Sequence, residues 1–442
     1  MVLPNVDLKP RQPGRSQAVA KRHLSAGSLI VSCPAVSTVL IFEQKGQRCD
    51  TCHRNPPQLR KCSGCASYFY CSEACRDLQW KSHHRKICKC LVPLVRSLCA
   101  ATQFRHIRRF NKYTSSLQYQ TLAAHEKMDA LLLSHLVAQL DGSAEDHLAS
   151  ILDLLPGPAG STAPPVAYSS PRVATSLVAD LYSRFGNNNF AIHSHLSTFG
   201  HGIFPLASRL FNHSCLPNAA AKYILSPSEL PLMEVVALRD ILPGEEICVP
   251  YLDPALLQSR TQIFQLSYEF RCRCSSCIFF EKAGPIPSPP ADSASRDDLS
   301  RRLLALQPCH DALTLVKNAE PFPPELLPVF HESFIAYLAE TFRNASHDGA
   351  YPTARSSGAA LLKLYRMIYP SNYPQIGMHL LELAKTCWNS AVSENVAVQD
   401  AERDAWIYLA EAKSVLGILG PEGDPDGPLA EIDTLGMLLG GE

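Results

Sequence analysis

Eight potential metal ligands fall in pairs within residues 49–88: Cys49-x2-Cys52, Cys62-x2-Cys65, Cys71-x3-Cys75 and His84-x3-Cys88. A Cys-x2-Cys knuckle puts two thiolates on one tight turn, close to the edge of the tetrahedron that zinc takes. Four such pairs satisfy two four-coordinate ions and leave no position for a reactive water, so the expected role is structural. A segment this short has little apolar core, and metal binding supplies much of its folding free energy. His83 and His84 are adjacent; His84 gives the shorter His-x3-Cys pair and is the expected ligand. Farther along, Cys272-x-Cys274-x2-Cys277 offers three thiolates, one short of a closed site. The natural fourth is Cys215, in Phe211-Asn-His-Ser-Cys-Leu-Pro-Asn218. Three zinc ions are therefore expected.

The elements that must position these ligands are read from composition and periodicity. A chain of 442 residues is too long for one compact core, so several domains are expected. It is 46% hydrophobic and 19% charged, as ordinary globular chains are. Lys+Arg and Asp+Glu both number 41, so no charge excess points to a nucleic-acid or membrane surface as the main partner. Residues 1–17 lack an apolar signal-peptide core. The longest nearly apolar run, Ala130 to Leu140, is broken by Ser134, His135 and Gln139 and is too short to span a bilayer. Seventeen cysteines would suit a secreted, disulfide-stapled protein, but their clustering and the missing export signal favour an intracellular zinc protein. Cys33, Cys90, Cys99, Cys248, Cys309 and Cys387 lie outside the clusters and are expected as buried thiols.

The apolar, β-branched stretch Ser28 to Phe42 predicts one or two strands. Residues 89–155 read mostly as helices and 156–171 as a Pro/Gly/Ser-rich loop. Residues 172–253 read as a helical start followed by short strands, and 283–298 as a linker. From 299 to about 418 the pattern is helical: Ile376, Leu380, Leu383 and Ala384 share a face, and Pro374 suits a first turn. The Gly- and Pro-rich tail is expected to end loosely.

The first cluster, with Tyr70-Cys71-Ser72 and Trp80, resembles the MYND zinc finger, although spacing alone also permits a RING- or PHD-like finger. The resemblance implies Cys49, Cys52, Cys71 and Cys75 on one ion and Cys62, Cys65, His84 and Cys88 on the other. MYND fingers bind proteins, often proline-rich peptides. Asn212-His-Ser-Cys-Leu-Pro-Asn218 with the later Cys-x-Cys-x2-Cys resembles the SET and post-SET segments of protein lysine methyltransferases. Gly244-Glu-Glu-Ile-Cys-Val-Pro-Tyr251, Tyr268-Glu-Phe270-Arg-Cys272, Asn188-Asn-Phe190 and the opening Gly14-Arg15-Ser16 agree with it. A finger inserted between the first SET strands and the rest is the arrangement of the SET-and-MYND (SMYD) family. Val31-Ser-Cys-Pro-Ala35 and Tyr369-Pro-Ser-Asn-Tyr-Pro-Gln-Ile-Gly377 fit that family as well.

The implied fold class is α+β: a β-rich SET domain with an inserted MYND finger, a post-SET zinc site and an α-helical TPR-like C-terminal domain. The corresponding segments are 1–48 (first part of SET), 49–88 (finger), 89–171 (helical connector and Pro-rich loop), 172–253 (core SET), 254–282 (post-SET), 283–298 (linker) and 299–442 (helical domain).

The family's activity implies methyl transfer from S-adenosylmethionine to a lysine of a histone or non-histone protein. By resemblance, the Tyr251 hydroxyl orients the reacting groups and Tyr268 lines the lysine channel. Arg15 and Asn188 contact the amino-acid end of the cofactor, Asn212 and His213 present backbone and side-chain groups to it, and Phe270 meets its adenine. The implied setting is a monomer of nucleus and cytoplasm, with a protein substrate, proline-rich peptides at the finger, no membrane and no direct nucleic-acid contact.

Three departures stand out. Ser16 replaces the second glycine of the opening turn, which limits backbone approach there. The segment Pro205 to Asn212 is one residue longer than usual, so the family's cofactor-contacting serine is not carried over to Ser208. The loop 156–171 alters the substrate cleft. The competing reading is a non-catalytic zinc-binding adaptor that presents finger and helices to protein partners, and Ser16 is its support. A zinc-dependent transcription factor lacks the basic stripe it would need.

Overall fold

The computed structural model describes residues 3–10, 15–85, 88, 186–307, 312–317, 322–393, 398–424 and 427–440. The helical reading of 89–155 and the loop at 156–171 lie outside the described residues, as do Cys90, Cys99 and Cys309.

The β-rich part is assembled from short strands far apart in sequence. Strands β1 (Val6–Lys9) and β2 (Gln17–Ala20) form an antiparallel pair. Strand β3 (Leu29–Pro34) pairs antiparallel with β11 (Leu232–Ala237), which pairs with β10 (Ala219–Ile224). Strand β4 (Ser37–Leu40) joins the hairpin β7 (Asn189–Ser194) and β8 (Ser197–Ile203). The predicted strand run thus becomes β3 and β4, separated at Ala35-Val36. Along β3, Val31 and Cys33 are buried and Ser32 and Pro34 face outward, while a register shift opposite Val235 and Val236 lets Ile30 be buried as well. From Val31 on, that is the period of a half-buried strand. Ile30, Val31 and Cys33 share one core with Phe199, Phe204, Phe211, Tyr223 and Val235.

Between β4 and β7 the finger adds the short hairpin β5 (Arg60–Lys61) and β6 (Phe69–Tyr70) and the helix Glu73–Gln79. Ser72 caps that helix by accepting from the Cys75 amide at 3.1 Å, which satisfies one of the free N–H groups of its first turn.

The C-terminal half is a stack of helices, chiefly Glu332–His347, Tyr351–Ile368, Pro374–Ser393 and Val398–Leu419. Their inward faces put Leu338, Leu361, Leu380, Leu383 and Leu416 into one core. Two boundaries differ from the sequence expectation. A helix, Ser293–Ala305, starts inside the stretch read as linker, because the Asp292 side chain accepts from the Ser295 amide and caps it. The tail expected to be loose forms the helix Pro428–Gly440, which buries Ile432 and Leu435 against the same core. Pro428 suits its first turn.

The helices dock on the β-rich part through Tyr369 and Tyr373, whose rings stack at 4.7 Å. Tyr369 donates to Asp253 at 2.8 Å, and Asn372 donates to the Leu238 carbonyl at 2.8 Å. No helix among the described residues is long and apolar enough to cross a membrane.

Candidate functional site

Three groups of four ligand atoms converge, each within 4.8 Å: Cys49, Cys52, Cys71 and Cys75; Cys62, Cys65, His84 and Cys88; Cys215, Cys272, Cys274 and Cys277. In the first, Cys71 Sγ lies 3.6 Å from Cys52 Sγ and 3.4 Å from Cys75 Sγ. In the second, a π-turn over Trp80–His84 brings His84 Nε2 to 3.2 Å from Cys62 Sγ and 3.6 Å from Cys65 Sγ. Gly64 lets the knuckle close, since a Cβ there would stand 2.7 Å from Cys88 Sγ. In the third, Cys215 approaches from the β-rich part and lies 3.6 Å from Cys277 Sγ. Donor sets of four thiolates, or three thiolates and an imidazole, at this mutual spacing fit tetrahedral zinc. The three clusters therefore fit three zinc sites.

The other candidate residues gather around a short parallel pairing, β9 (Asn212–His213) with β12 (Cys248–Val249). It sets the Asn-His pair beside the strand that leads to Tyr251. The His213 ring then serves as a brace: Nδ1 accepts from the Tyr251 amide at 3.0 Å, and Nε2 lies 3.2 Å from Cys215 Sγ. The Asn212 side chain donates to the Ser16 carbonyl at 3.1 Å and to Glu246 Oε1 at 2.8 Å. Side-chain groups expected to face a cofactor are thus engaged by the protein itself, although both residues still line a cavity. Ser16 contributes its carbonyl to the same network.

Tyr251 is pinned at both ends. Its hydroxyl donates to the Phe211 carbonyl at 2.7 Å and accepts from Arg15 at 3.0 Å. Burial raises its pKa, an effect opposed by the neighbouring Arg15 guanidinium. The Tyr268 ring lies 5.3 Å from that of Tyr251, and burial raises its pKa also. Phe270 stacks on Phe264 at 5.0 Å, and Phe264 in turn lies 4.3 Å from His213.

Two cavities meet at this cluster. The larger, about 580 Å³, is lined by Asn212, His213, Glu246, Cys248 and Phe270 among others. The smaller, about 240 Å³, is mostly apolar and is walled by Phe190, Ala221, Tyr223, Met233 and Val235. Arg15, Tyr251 and Tyr268 line both and so form the partition. Asn188 lines only the smaller cavity, because the short turn Gly186–Asn188 leads into β7 on that side. It is not grouped with Phe270.

Four of the lining residues that sequence reasoning missed are instructive. Glu246 sits in the Gly-Glu-Glu motif and could have been read from it. Tyr373 sits in the Tyr-Pro-Ser-Asn-Tyr block, which gave no hint of a cavity. Tyr223 has only its place in a strand. Ser208, set aside on length, lines the smaller cavity, and its buried hydroxyl has no hydrogen-bond partner among the described residues. Ser208 lies in the helix Pro205–Leu210, on its buried face.

Of the described cysteines outside the clusters, Cys33 and Cys387 are buried, and burial pushes their thiols up to about 12 and about 11. Cys248 departs from the expectation. It is half-buried and lines the larger cavity, because β12 stands at its edge.

Strands closed around a parallel Asn-His pairing, with a tyrosine between two cavities and a thiolate cluster beside it, define a class. The SET domain family model matches residues 17–252, more than half of the sequence. The chain belongs to the SET domain family. It is similar to the N-lysine methyltransferases SMYD2 of Gallus gallus, 28% identical over 297 residues, and of Mus musculus, 30% identical over 288 residues. These alignments cover 64% and 63% of this chain. SMYD2 of Homo sapiens is 28% identical over 300 residues, 64% of this chain. The chain spans about 64% of the length of the curated relatives it matches. The SET-and-MYND resemblance and the α+β fold class are borne out at the level of the family.

Proposed function

We propose that the chain is a protein-lysine N-methyltransferase that uses S-adenosylmethionine. The observation that carries this reading is the partition of Arg15, Tyr251 and Tyr268 between a larger cavity of mixed lining and a smaller, mostly apolar one. When bound, S-adenosylmethionine supplies a methyl group on a positively charged sulfonium. The larger cavity suits it, with Arg15 available to a carboxylate and the Phe270 ring to an adenine. The smaller cavity would take the lysine side chain. Its apolar walls disfavour the ammonium form and lower the lysine pKa, so more of the amine is neutral and nucleophilic. Tyr251, fixed by Phe211 and Arg15, would hold that amine in line, a gain in orientation. Tyr251 and Tyr268 would be the groups at the reacting atoms, and their ring faces favour cationic centres.

The name of the SMYD2 relatives supports lysine as the acceptor. The protein substrate, proline-rich partners of the finger and residence in nucleus and cytoplasm belong to the same proposal. Calorimetry with S-adenosylmethionine and labelled-methyl transfer onto whole-cell lysate test it. Binding of one cofactor per chain and label on lysine are expected. Tyr251→Phe should slow transfer at least about tenfold with little change in cofactor affinity, because the hydroxyl acts mainly in the transition state. A protein holding its three zincs that binds no S-adenosylmethionine would instead be the adaptor.

A further inference from the structure

The hairpin from β7 to β8 turns on two residues, His195 and Leu196, with φ of 49° and 66°. Two successive left-handed residues make a type I′ turn, whose preferred pair is Asn-Gly. A histidine followed by a γ-branched leucine costs roughly 1–2 kcal/mol per residue in that region. Such a turn persists when neighbours hold it, and here they come from the far end of the chain. The Glu422 side chain, 4% exposed, accepts from the His195 amide. Gly427 packs so closely on the His195 ring that a Cβ there would collide with it.

The segment that carries Glu422 is itself tied down. Lys222 donates to the Leu419 carbonyl at 2.6 Å, and the Gly423 amide donates to the Tyr223 carbonyl at 3.0 Å. Tyr223 and Leu196 both line the smaller cavity. Behind Leu196 lies a second void of about 20 Å³, bounded by Glu422, Leu419 and Pro428. Leu196 thus has space on either side, and the position of its turn depends on contacts from the segment between the last two helices.

We propose that the His195–Leu196 turn is a latched wall of the smaller cavity: Glu422 is the latch, and Leu196 is a specificity-determining residue for the acceptor segment. This rests on the reading of that cavity as the lysine channel. Glu422 acts only through the turn and is a positioning residue. The latch ties the fit of the acceptor to the docking of the C-terminal helices, which among the described residues also line this cavity at Tyr373 and Pro374.

Amide hydrogen exchange and labelled-methyl transfer, both on the full chain, test the proposal. In Glu422→Ala, exchange at residues 194–197 should rise at least about tenfold, the effect of one lost buried hydrogen bond. The lysate concentration that half-saturates methyl transfer should rise at least about threefold, while S-adenosylmethionine affinity and the zinc content stay as in the wild type. Adding His195→Asn and Leu196→Gly to that variant installs the preferred turn pair and should restore protection without Glu422. It should not restore half-saturation, because the Leu196 side chain is gone. Unchanged exchange in Glu422→Ala would overturn the latch. Restored half-saturation in the triple variant would remove Leu196 from acceptor selection. Exchange needs no turnover, so a wild-type chain that transfers no methyl group would sink the catalytic reading and the acceptor role, while the latch would still be decided.

Discussion

In the finger the buried apolar cluster is largely its own metal ligands, Cys49, Cys52, Cys65, Cys75 and Cys88, with Tyr68 and Tyr70 beside them. In the helical module it is made of aliphatic and aromatic residues from successive helices, among them Phe334, Leu361, Leu380, Leu383 and Leu416. The first interior exists only as far as its ligands share an ion. The second removes apolar area from water at about 25 cal/mol per Å² and needs no ion. The post-SET cluster stands between them: it joins Cys215 on the β-rich part to a segment 57 residues later. Metal there fastens one element to another instead of making an interior. One chain thus uses zinc as a core and as a staple, and packing elsewhere.

Chelation breaks this comparison most severely. Stripping zinc from the full chain should abolish amide protection across 49–85, because binding free energy is folding free energy in such sites. Helices from 332 to 419 should keep their protection and most of the far-UV circular dichroism. Joint melting of both regions would show that the finger is part of a common cooperative unit. Leu380→Ala makes the reverse cut. Leu380 is 0% exposed at the centre of the helical core, and its truncation should cost about 2–5 kcal/mol in denaturant unfolding. Elemental analysis of the variant should still find three zincs per chain. Loss of zinc on this substitution would mean that the metal sites depend on packing far from them.

What was legible in the sequence follows the same division. Zinc needs fixed residue types at fixed spacing, so the ligands could be read directly, including the split between Cys215 and Cys272, Cys274 and Cys277. Tyr251 was legible because a motif ends on it. Asn188 was legible as a residue that lines a cavity, but not which of the two it lines; the turn into strand β7 sets it in the smaller one. The His195–Leu196 turn was invisible, since neither residue is the glycine or asparagine that marks such a turn. Its conformation is imposed by Glu422, 227 residues away in a stretch that reads as a loose tail. Packing and remote hydrogen bonds leave no local signature, and the docking of the helices on the β-rich part was accordingly not foreseen.

The smallest expected effect lies where the two regimes touch. Arg48, one residue before the first zinc ligand, donates to Asp424 through both terminal nitrogens, at 2.9 and 2.6 Å. The same guanidinium lies 4.2 Å above the Phe199 ring and donates to the His53 carbonyl at 3.0 Å. Asp424 belongs to the segment that carries Glu422, so this pair joins the base of the finger to the latch. The two side chains are 12% and 23% exposed, which leaves the pair partly screened. Exposed ion pairs contribute less than about 1 kcal/mol, and bidentate geometry moves a pair toward the upper end. A double-mutant cycle with Arg48→Ala and Asp424→Ala should therefore give a coupling of about 1 kcal/mol. Arg48→Ala should cost more than Asp424→Ala, because it also removes the Phe199 and His53 contacts. Arg48→Lys should recover only part of the coupling, since an ammonium cannot form the two-pronged bond. Coupling within about 0.3 kcal/mol of zero would mean that the two effects simply add. Finger and helical module would then be independent at this contact, and the division between metal-held and packing-held regions would be complete there.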